Sequence, residues 1–260
     1  MKHLPRTALP GFAVLLLTAC AGRANAAEAP ALGGTAWVLS ELPGRTLLAG
    51  RSVTLGFEDG RAAGSDGCNR YGSPYTQSGP ALSFGDRGIA TQMACPPEVM
   101  QQAEAFRTSL AGPRSHRIAG NGRLQLLAAD GAVLASFAPQ PSQLAGTSWQ
   151  VTGFNNGRQA VVSVLTGTEL TMEFGPDGRV SGYAGCNRYH ASYSVDGAAL
   201  SIGPAAATRR MCVEPEQSME QEQQFLKALE SVATLRMEGD RLELRTADGA
   251  LAVTADKEPN

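Results

Sequence analysis

The sequence predicts an α+β protein that contains two tandem copies of one small domain, each mostly antiparallel β-sheet with a single amphipathic helix. The pentapeptide GCNRY occurs at residues 67–71 and again at residues 185–189. Around it, residues 67–85 and 185–203 align at a constant offset of 118 positions, with 11 of 19 residues identical and no gap. A match of this length indicates that a whole structural unit was duplicated.

Three further short motifs occur in both copies, in the same order along the chain. GTAW and GTSW precede the pentapeptide, TQMAC and TRRMC follow it, and ADGA closes each copy. Between the copies lies APQPSQ (residues 138–143), whose two prolines predict a short, semi-rigid linker. The predicted domains are therefore residues 32–138 and 144–256, joined by a linker at residues 139–143.

Within each copy, the strands are predicted from alternating apolar and polar residues around tight turns. TELTMEF, GPDG and RVSGY read as a hairpin in the second copy, and SVTLGF, EDG and RAAG repeat it in the first. One helix per copy is predicted from apolar residues at helical spacing. These residues are Val99, Met100, Ala103, Phe106 and Leu110 in the first copy, and Met219, Phe225, Leu226, Leu229 and Val232 in the second.

The first 31 residues are predicted to be a signal peptide and tether. Lys2 and Arg6 precede a short apolar run at residues 12–17, which is the layout of a secretory signal. The run ends in LTAC, which resembles a bacterial lipobox and marks Cys20 for lipidation. The alternative is ordinary cleavage after Ala26 in ANA. We therefore expect an outer-membrane lipoprotein facing the periplasm or, in the alternative, a soluble periplasmic protein.

The charge of the chain gives no indication of a nucleic-acid partner. The formal net charge is −2, and no clustered basic face is apparent in the sequence. We expect contact with the membrane through the lipid anchor only.

The motifs together resemble the META/HslJ-like domain, twice, over nearly all of the mature chain. The resemblance rests on CNR after a small residue, on T-x-M-x-C or T-x-x-M-C before a helix, and on GTxW upstream. It implies a curved, barrel-like antiparallel sheet wrapped around one helix. It also implies an envelope protein, since many members are lipoproteins and some are linked to heat-shock or drug-stress responses. The family implies no enzymatic reaction.

One departure from the family pattern concerns an arginine. The second copy has Arg209 and Arg210 after Thr208, whereas the first copy has Gln92 and Met93 after Thr91. A role for either arginine side chain therefore applies to the second copy alone.

The cysteines of the mature domains are expected to form disulfides within each copy, Cys68 with Cys95 and Cys186 with Cys212. An exported chain meets an oxidising compartment, and this is the only pairing that both copies could have used before duplication. Each bond would contribute about 3–4 kcal/mol by loop-closure entropy.

The alternative for these cysteines is a metal, redox or nucleophilic site. The sequence has no C-x-x-C, and His116 and His190 have no counterparts in the other copy. We therefore predict no catalytic residue, no cofactor and no metal.

The polar residues of the pentapeptides leave two interpretations open. They are Asn69, Arg70 and Tyr71 in the first copy, and Asn187, Arg188 and Tyr189 in the second. As scaffold, Asn caps a turn through nearby backbone, and Arg pairs with an internal carboxylate or stacks on Tyr. As a site, the three form a recessed polar patch that binds an anion or a peptide carbonyl.

Other conspicuous side chains are given structural roles. Trp37 and Trp149 are predicted to cover the open end of each sheet. Glu216, Glu220 and Glu222 are predicted to form a solvated helix face, so that no catalytic carboxylate pair is apparent.

The leading functional hypothesis is a non-enzymatic envelope protein that binds an envelope protein or an envelope-derived ligand during stress. One alternative is a hydrolase acting on envelope material through carboxylates gathered only in three dimensions. The other is a purely structural spacer.

Overall fold

A computed structural model describes residues 29–158 and 160–258. Cys20 and nearly all of the predicted signal peptide and tether lie outside these residues. Within the described part of the chain, no helix has the length and apolar character needed to cross a membrane.

The first domain contains nine strands and one helix. In chain order, the elements are β1 (Thr35–Glu41), β2 (Thr54–Glu58), β3 (Arg61–Ser65), β4 (Arg70–Ser78), β5 (Ala81–Phe84), β6 (Ile89–Ala90), α1 (Pro97–Ala111), β7 (Ser115–Ile118), β8 (Leu124–Leu127) and β9 (Val133–Pro139). α1 begins with proline, whose missing amide hydrogen is not needed in the first helical turn.

The second domain repeats this arrangement, and its elements are numbered onwards from the first. They are β10 (Thr147–Asn155), β11 (Val161–Ser163), β12 (Thr171–Phe174), β13 (Arg179–Tyr183), β14 (Arg188–Asp196), β15 (Ala199–Ile202), β16 (Ala206–Ala207), α2 (Ser218–Glu230), β17 (Thr234–Glu238), β18 (Arg241–Arg245) and β19 (Leu251–Lys257).

Both sheets are antiparallel and close on themselves, which confirms the predicted fold class. In the first domain the order is β3-β2-β1-β9-β8-β7-β5-β4, and the pairing of β3 with β4 closes the ring. In the second domain the order is β10-β12-β13-β14-β15-β17-β18-β19, closed by β10 and β19. Closure leaves no long unpaired edge on either eight-stranded barrel. The short strands β6, β11 and β16 pair outside the rings.

The β2–β3 turn shows why the predicted hairpin forms. Asp59 and Gly60 both have positive φ, 48° and 72°, which a type I′ turn requires and which Asp-Gly adopts readily. The turn aligns Phe57 with Ala62 across the strands, so that both side chains reach the core.

Each helix fills its barrel with one central phenylalanine. Phe106 packs edge-on against Tyr71 and Phe137, with ring centres 5.5 and 6.2 Å apart. Phe225 packs in the same way against Tyr189 and Phe154. Two details of the helix prediction were wrong. Met100 is exposed, and Val232 lies beyond the end of α2 although it is buried.

The two tryptophans, which were predicted to cover the open end of each sheet, are buried, and the structure explains the GTxW motif. The indole N–H of Trp37 donates to Thr35 Oγ1 at 2.7 Å, and this hydroxyl donates to the carbonyl of Leu32. Trp149 and Thr147 make the same contacts in the second domain. The threonine thus gives the buried indole its hydrogen-bond partner.

Candidate functional site

The four cysteines form the two bonds predicted from the sequence. Cys68–Cys95 and Cys186–Cys212 have Cα atoms 6.0 and 5.9 Å apart, within the usual range for disulfides. Each bond ties the turn before the long strand (β4 or β14) to the loop that precedes the helix. Because all four sulfurs are bonded, none is available as a thiolate nucleophile or metal ligand.

Asn69 and Asn187 each hold in place the loop that precedes the helix of their own domain, beside the disulfide. Asn69 Oδ1 accepts from Thr91 Oγ1 at 3.0 Å and from the Met93 amide at 2.7 Å. Asn187 Oδ1 accepts from Thr208 Oγ1 and from the Arg210 amide, both at 2.7 Å. The prediction of a local turn cap was therefore wrong, because the partners lie 21–24 residues away.

The arginine of the TRRMC motif acts through its backbone. Arg210 offers its amide and its carbonyl to Asn187, while its side chain is exposed. Met93 occupies the same place in the first domain and offers the same amide. The contact with asparagine therefore does not require an arginine side chain.

The backbone amide of each asparagine donates to a buried carboxylate. Asp66 Oδ1 accepts from the Asn69 amide at 2.6 Å and the Cys68 amide at 3.0 Å. Glu222 accepts from the Asn187 amide at 2.7 Å and from Asn187 Nδ2 at 3.1 Å. The prediction that Glu222 belongs to a solvated face was wrong. Glu222 is only 7% exposed. Its burial is favourable because it accepts hydrogen bonds from the buried donors of Asn187.

Tyr71 and Tyr189 belong to the cores. Their hydroxyls donate to the carbonyls of Thr54 and Thr171, at 2.7 and 2.9 Å. Burial raises the pKa of Tyr71 well above its usual value of 10.0, and the charges of Glu238 and Asp66 raise it further. Burial alone raises the pKa of Tyr189. Both phenols therefore remain protonated well above neutral pH.

Arg70 and Arg188 occupy identical pentapeptides but have different surroundings. Arg70 Nη2 lies 2.9 Å from Glu238 Oε2, a carboxylate of the second domain. Arg188 is exposed, and none of the ion pairs within residues 29–158 and 160–258 includes it. The predicted partner of Arg70 is thus a carboxylate, but one that lies in the other domain.

The β17–β18 turn of the second domain rests on β2 of the first. Glu238 accepts from Thr54 Oγ1 at 2.9 Å, and Asp240 accepts from Ser52 Oγ. Gly239 must be glycine here, since its φ is +61° and a Cβ would lie 2.5 Å from that of Ser52. In the linker, Gln140 accepts from the Gly239 amide and donates to the Met237 carbonyl. No local pattern in the sequence indicates this junction, because its partners lie 97–188 residues apart.

A cleft of about 460 Å³ opens beside this junction. Its floor is the outer face of β1, β2 and β3, where Ala36, Gly56 and Ala63 lie in one cross-strand row. Its opposite wall is formed by Arg236, Met237 and Glu238 of the second domain, with linker residue Gln140. Glu58, Asp59 and Arg61 also line the cleft.

The carboxylates with clearly shifted pKa values are both on the second domain. Burial opposes ionisation of Glu243, but the hydrogen bond from Arg245 and the charges of Arg245, Arg241 and Arg236 leave its pKa below the usual 4.5. A hydrogen bond from Thr246 lowers the pKa of Asp248. Neither group resembles a general acid, whose pKa is typically raised. Among the described residues, no group of three or more His, Cys, Asp and Glu side chains is arranged to bind a metal.

Comparison with known proteins identifies the repeated unit. The META domain model matches residues 30–141 and again residues 142–259. No curated protein matches the chain. Among solved structures, an NMR structure of a protein from Burkholderia xenovorans is 26% identical over 47% of this chain and 93% of its own, with a TM-score of 0.38.

Two further structures are similar over about one domain's length. A second NMR structure is 24% identical over 45% of this chain and 93% of its own, with a TM-score of 0.35. A crystal structure of a DUF4847 family protein from Bacteroides vulgatus is 15% identical over 45% of this chain and 96% of its own, with a TM-score of 0.31. The assignment rests on the family model, whose two matches together cover nearly the whole chain: this protein belongs to the META domain family and has two META domains in tandem.

Proposed function

We propose that this protein is a non-enzymatic binding protein of the bacterial cell envelope that acts during envelope stress. Its signal-like N-terminal residues support export, with anchoring through Cys20 or release after Ala26. The two disulfides suit an oxidising compartment such as the periplasm. The stress role is supported by the resemblance to META/HslJ-like proteins.

The observation that carries the proposal is the cleft between the domains. Small-molecule sites occur preferentially at domain interfaces, where two surfaces contribute to one concave pocket. Here the contacts of Glu238 with Thr54 and Arg70, and those of Gln140 with the β17–β18 turn, set the width of the cleft. A spacer would not need such a pocket.

The lining of the cleft indicates what it would bind. The row of Ala36, Gly56 and Ala63 lets a ligand approach the sheet closely, and Met237 adds an apolar wall. Arg61 and Arg236 supply positive charge, while Glu58 and Asp59 supply negative charge. This combination suits an extended ligand with an apolar body and charges of both signs, such as a peptide segment.

The non-enzymatic part of the proposal is supported by the pentapeptides. In each domain, Asn and Tyr hydrogen-bond to the scaffold and the cysteine is bonded. These roles are duplicated, as expected for residues that stabilise a fold.

Native mass spectrometry of the full chain, purified with disulfides intact and exposed to envelope extract, tests the proposal. We expect a ligand to be retained by the wild-type protein and lost from Ala63→Phe, whose ring would fill the cleft. Ala81→Phe is the matched control, because Ala81 is an exposed strand alanine that does not line the cleft. Equal retention by both variants, or no retained ligand at all, would refute cleft binding. A covalent change in the retained ligand would refute the non-enzymatic assignment.

A further inference from the structure

The first domain already shows how a META domain can bind an acidic turn. Thr54 Oγ1 donates to one oxygen of Glu238 at 2.9 Å, and Arg70 Nη2 donates to the other at 2.9 Å. The first domain thus contributes a hydroxyl and a guanidinium, at the start of β2 and of β4, to one carboxylate, which also pairs at 2.9 Å with Arg236 of its own domain. Hydrogen bonds in which at least one partner is charged are among the stronger ones in proteins.

The second domain has the same two groups at the equivalent place. The hydroxyl of Thr171 accepts from the Tyr183 amide at 2.9 Å, as that of Thr54 accepts from the Ser65 amide at 2.8 Å. The backbone carbonyl of Thr171 accepts from the Tyr189 hydroxyl. In the first domain, the carbonyl of Thr54 accepts from the Tyr71 hydroxyl in the same way.

The strand register agrees with this equivalence. Tyr183 lies opposite Arg188 on β13 and β14, as Ser65 lies opposite Arg70 on β3 and β4. Thr171 and Arg188 are therefore presented as Thr54 and Arg70 are.

The two faces differ in what covers them. Thr54 is 3% exposed beneath the turn of the second domain, whereas Thr171 is only half-buried and Arg188 is exposed. Of the side chains that the structure describes, none forms an ion pair with Arg188. The carboxylate-binding pair of the second domain is thus accessible.

The β7–β8 turn of the first domain has no glutamate at the position of Glu238. It therefore cannot supply a carboxylate to Thr171 and Arg188 of another copy of this chain. The first hairpin, β7–β8, begins with the pair Ser115–Leu127 and ends with Ile118–Leu124. The second hairpin, β17–β18, begins with the equivalent pair Thr234–Arg245 and continues one pair further, to Glu238–Arg241. The next position of the first hairpin is Ala119, which therefore stands where the second has Glu238. Since Glu238 itself is bound within its own chain, neither of the two equivalent turns supplies the occupant.

We propose that Thr171 and Arg188 bind a glutamate side chain on an exposed turn of a partner protein, in the manner in which Thr54 and Arg70 bind Glu238. This inference rests on the proposed binding function and specifies a second contact and the chemistry of its partner.

Neighbouring residues narrow the partner further. Glu169 stands where the first domain has Ser52, the residue that binds Asp240, so a second acidic residue two positions after the glutamate would be repelled. A small cavity of about 200 Å³ adjoins Arg188 and is lined by His190, Ala206 and Ala207. The partner turn therefore carries one glutamate and a neutral residue two positions later.

A cyclised hairpin peptide with the sequence of residues 234–245 and Asp240→Ser is a direct probe of this site. It would be titrated into the full-length, disulfide-bonded protein, with a Glu238→Gln version of the peptide as its control. We expect the glutamine peptide to bind about fivefold more weakly, since it keeps the shape of glutamate but loses the charge, and an exposed ion pair is screened by solvent. Equal binding of the two peptides, or no saturable binding at about millimolar peptide, overturns the proposal.

Protein variants identify which face binds the peptide. Arg188→Gln should weaken binding about fivefold, because it removes the charged partner of the glutamate at an exposed site. Arg179→Gln, a change of an exposed arginine at the far end of β13, should leave binding unchanged. Arg70→Gln should also leave it unchanged, because that site is filled by Glu238. Unaltered binding to Arg188→Gln, or weaker binding to Arg70→Gln alone, overturns the assignment.

The two proposals fail in different experiments. Ala63→Phe alters the cleft without touching the second domain's face, and Arg188→Gln does the reverse. Loss of peptide binding to wild type with an intact cleft ligand would refute this inference alone. A missing cleft ligand with intact peptide binding would refute cleft binding alone.

Discussion

The two META domains meet one structural requirement with carboxylates from different elements. Asp66, in the turn before β4, accepts the Asn69 amide in the first domain, and Glu222, on α2, accepts the Asn187 amide in the second. In each domain, the position that carries the carboxylate in the other domain is an alanine. Ala184 is equivalent to Asp66, and Ala103 is equivalent to Glu222.

The equivalence of the helix positions is supported by the neighbouring glutamines. Gln102 accepts from the Leu48 amide at 2.8 Å, and Gln221 accepts from the Leu165 amide at 2.7 Å. Each domain therefore has one buried carboxylate, on the loop or on the helix. The fold therefore requires an acceptor for the asparagine amide, but either the loop or the helix can supply it.

Removing the disulfides should produce the largest effect, and an equal one in the two domains. Cys68→Ala/Cys95→Ala and Cys186→Ala/Cys212→Ala each open a loop of similar length, 27 and 26 residues. We expect each pair to cost about 3–4 kcal/mol of unfolding free energy. Chemical denaturation of the full chain measures both losses, with reduced wild type as the control. A marked inequality would show that one domain depends on its bond more than loop closure predicts.

Moving the buried carboxylate should be the sharpest test of the exchange. Glu222→Ala leaves the Asn187 donors without an acceptor and should cost about 1–3 kcal/mol. Adding Ala184→Asp should restore much of this loss, because the aspartate then stands where Asp66 does in the first domain. Unfolding free energies of the single and double variants measure the rescue. If the double variant is no more stable than the single one, the two acceptors are not interchangeable.

Alkaline pH should destabilise both domains through their buried tyrosines. The pKa of Tyr71 and of Tyr189 is raised in the folded state, so the unfolded chain releases these protons first. The stabilising contribution is fully present below about pH 10 and decreases above it, by about 1.4 kcal/mol per pH unit for each tyrosine.

Unfolding free energies across this range, measured for wild type, Tyr71→Phe and Tyr189→Phe, test the linkage. Each variant should show a shallower decline than wild type. Glu238→Gln should lower the pKa of Tyr71 but not that of Tyr189, because the Glu238 charge raises only the former. Identical pH slopes in all four proteins would contradict the prediction.

The smallest effect concerns the two arginines of the pentapeptides. Arg70→Gln should cost up to about 1 kcal/mol, since the Arg70–Glu238 pair is partly exposed and therefore screened. Arg188→Gln, the matched control, should be neutral. A double-mutant cycle with Glu238→Gln isolates the pair energy. A destabilising Arg188→Gln would indicate that Arg188 has an intramolecular role.

Some features of the site could be predicted from the sequence because they follow from local pattern or from the repeat. Asp59-Gly60 predicted a tight turn from the conformations available to these residues. The pairing of Cys68 with Cys95 followed from the requirement that both copies share it. Glu222 was mispredicted because a glutamate on a helix is normally solvated. Burial of Glu222 is favourable only because Asn187, 35 residues away in the sequence, donates hydrogen bonds to it.

The amino-acid sequence is therefore enough to establish that the chain is duplicated, that each copy is a disulfide-bonded sheet with one helix, and which family it belongs to. The contact of Arg70 with a carboxylate, and the exposure of Arg188, arise only in the folded molecule. These residues lie in identical pentapeptides, so no local rule distinguishes them. Their difference arises from Glu238, which lies 168 residues from Arg70 and reaches it only after both barrels have closed and the linker has placed one on the other.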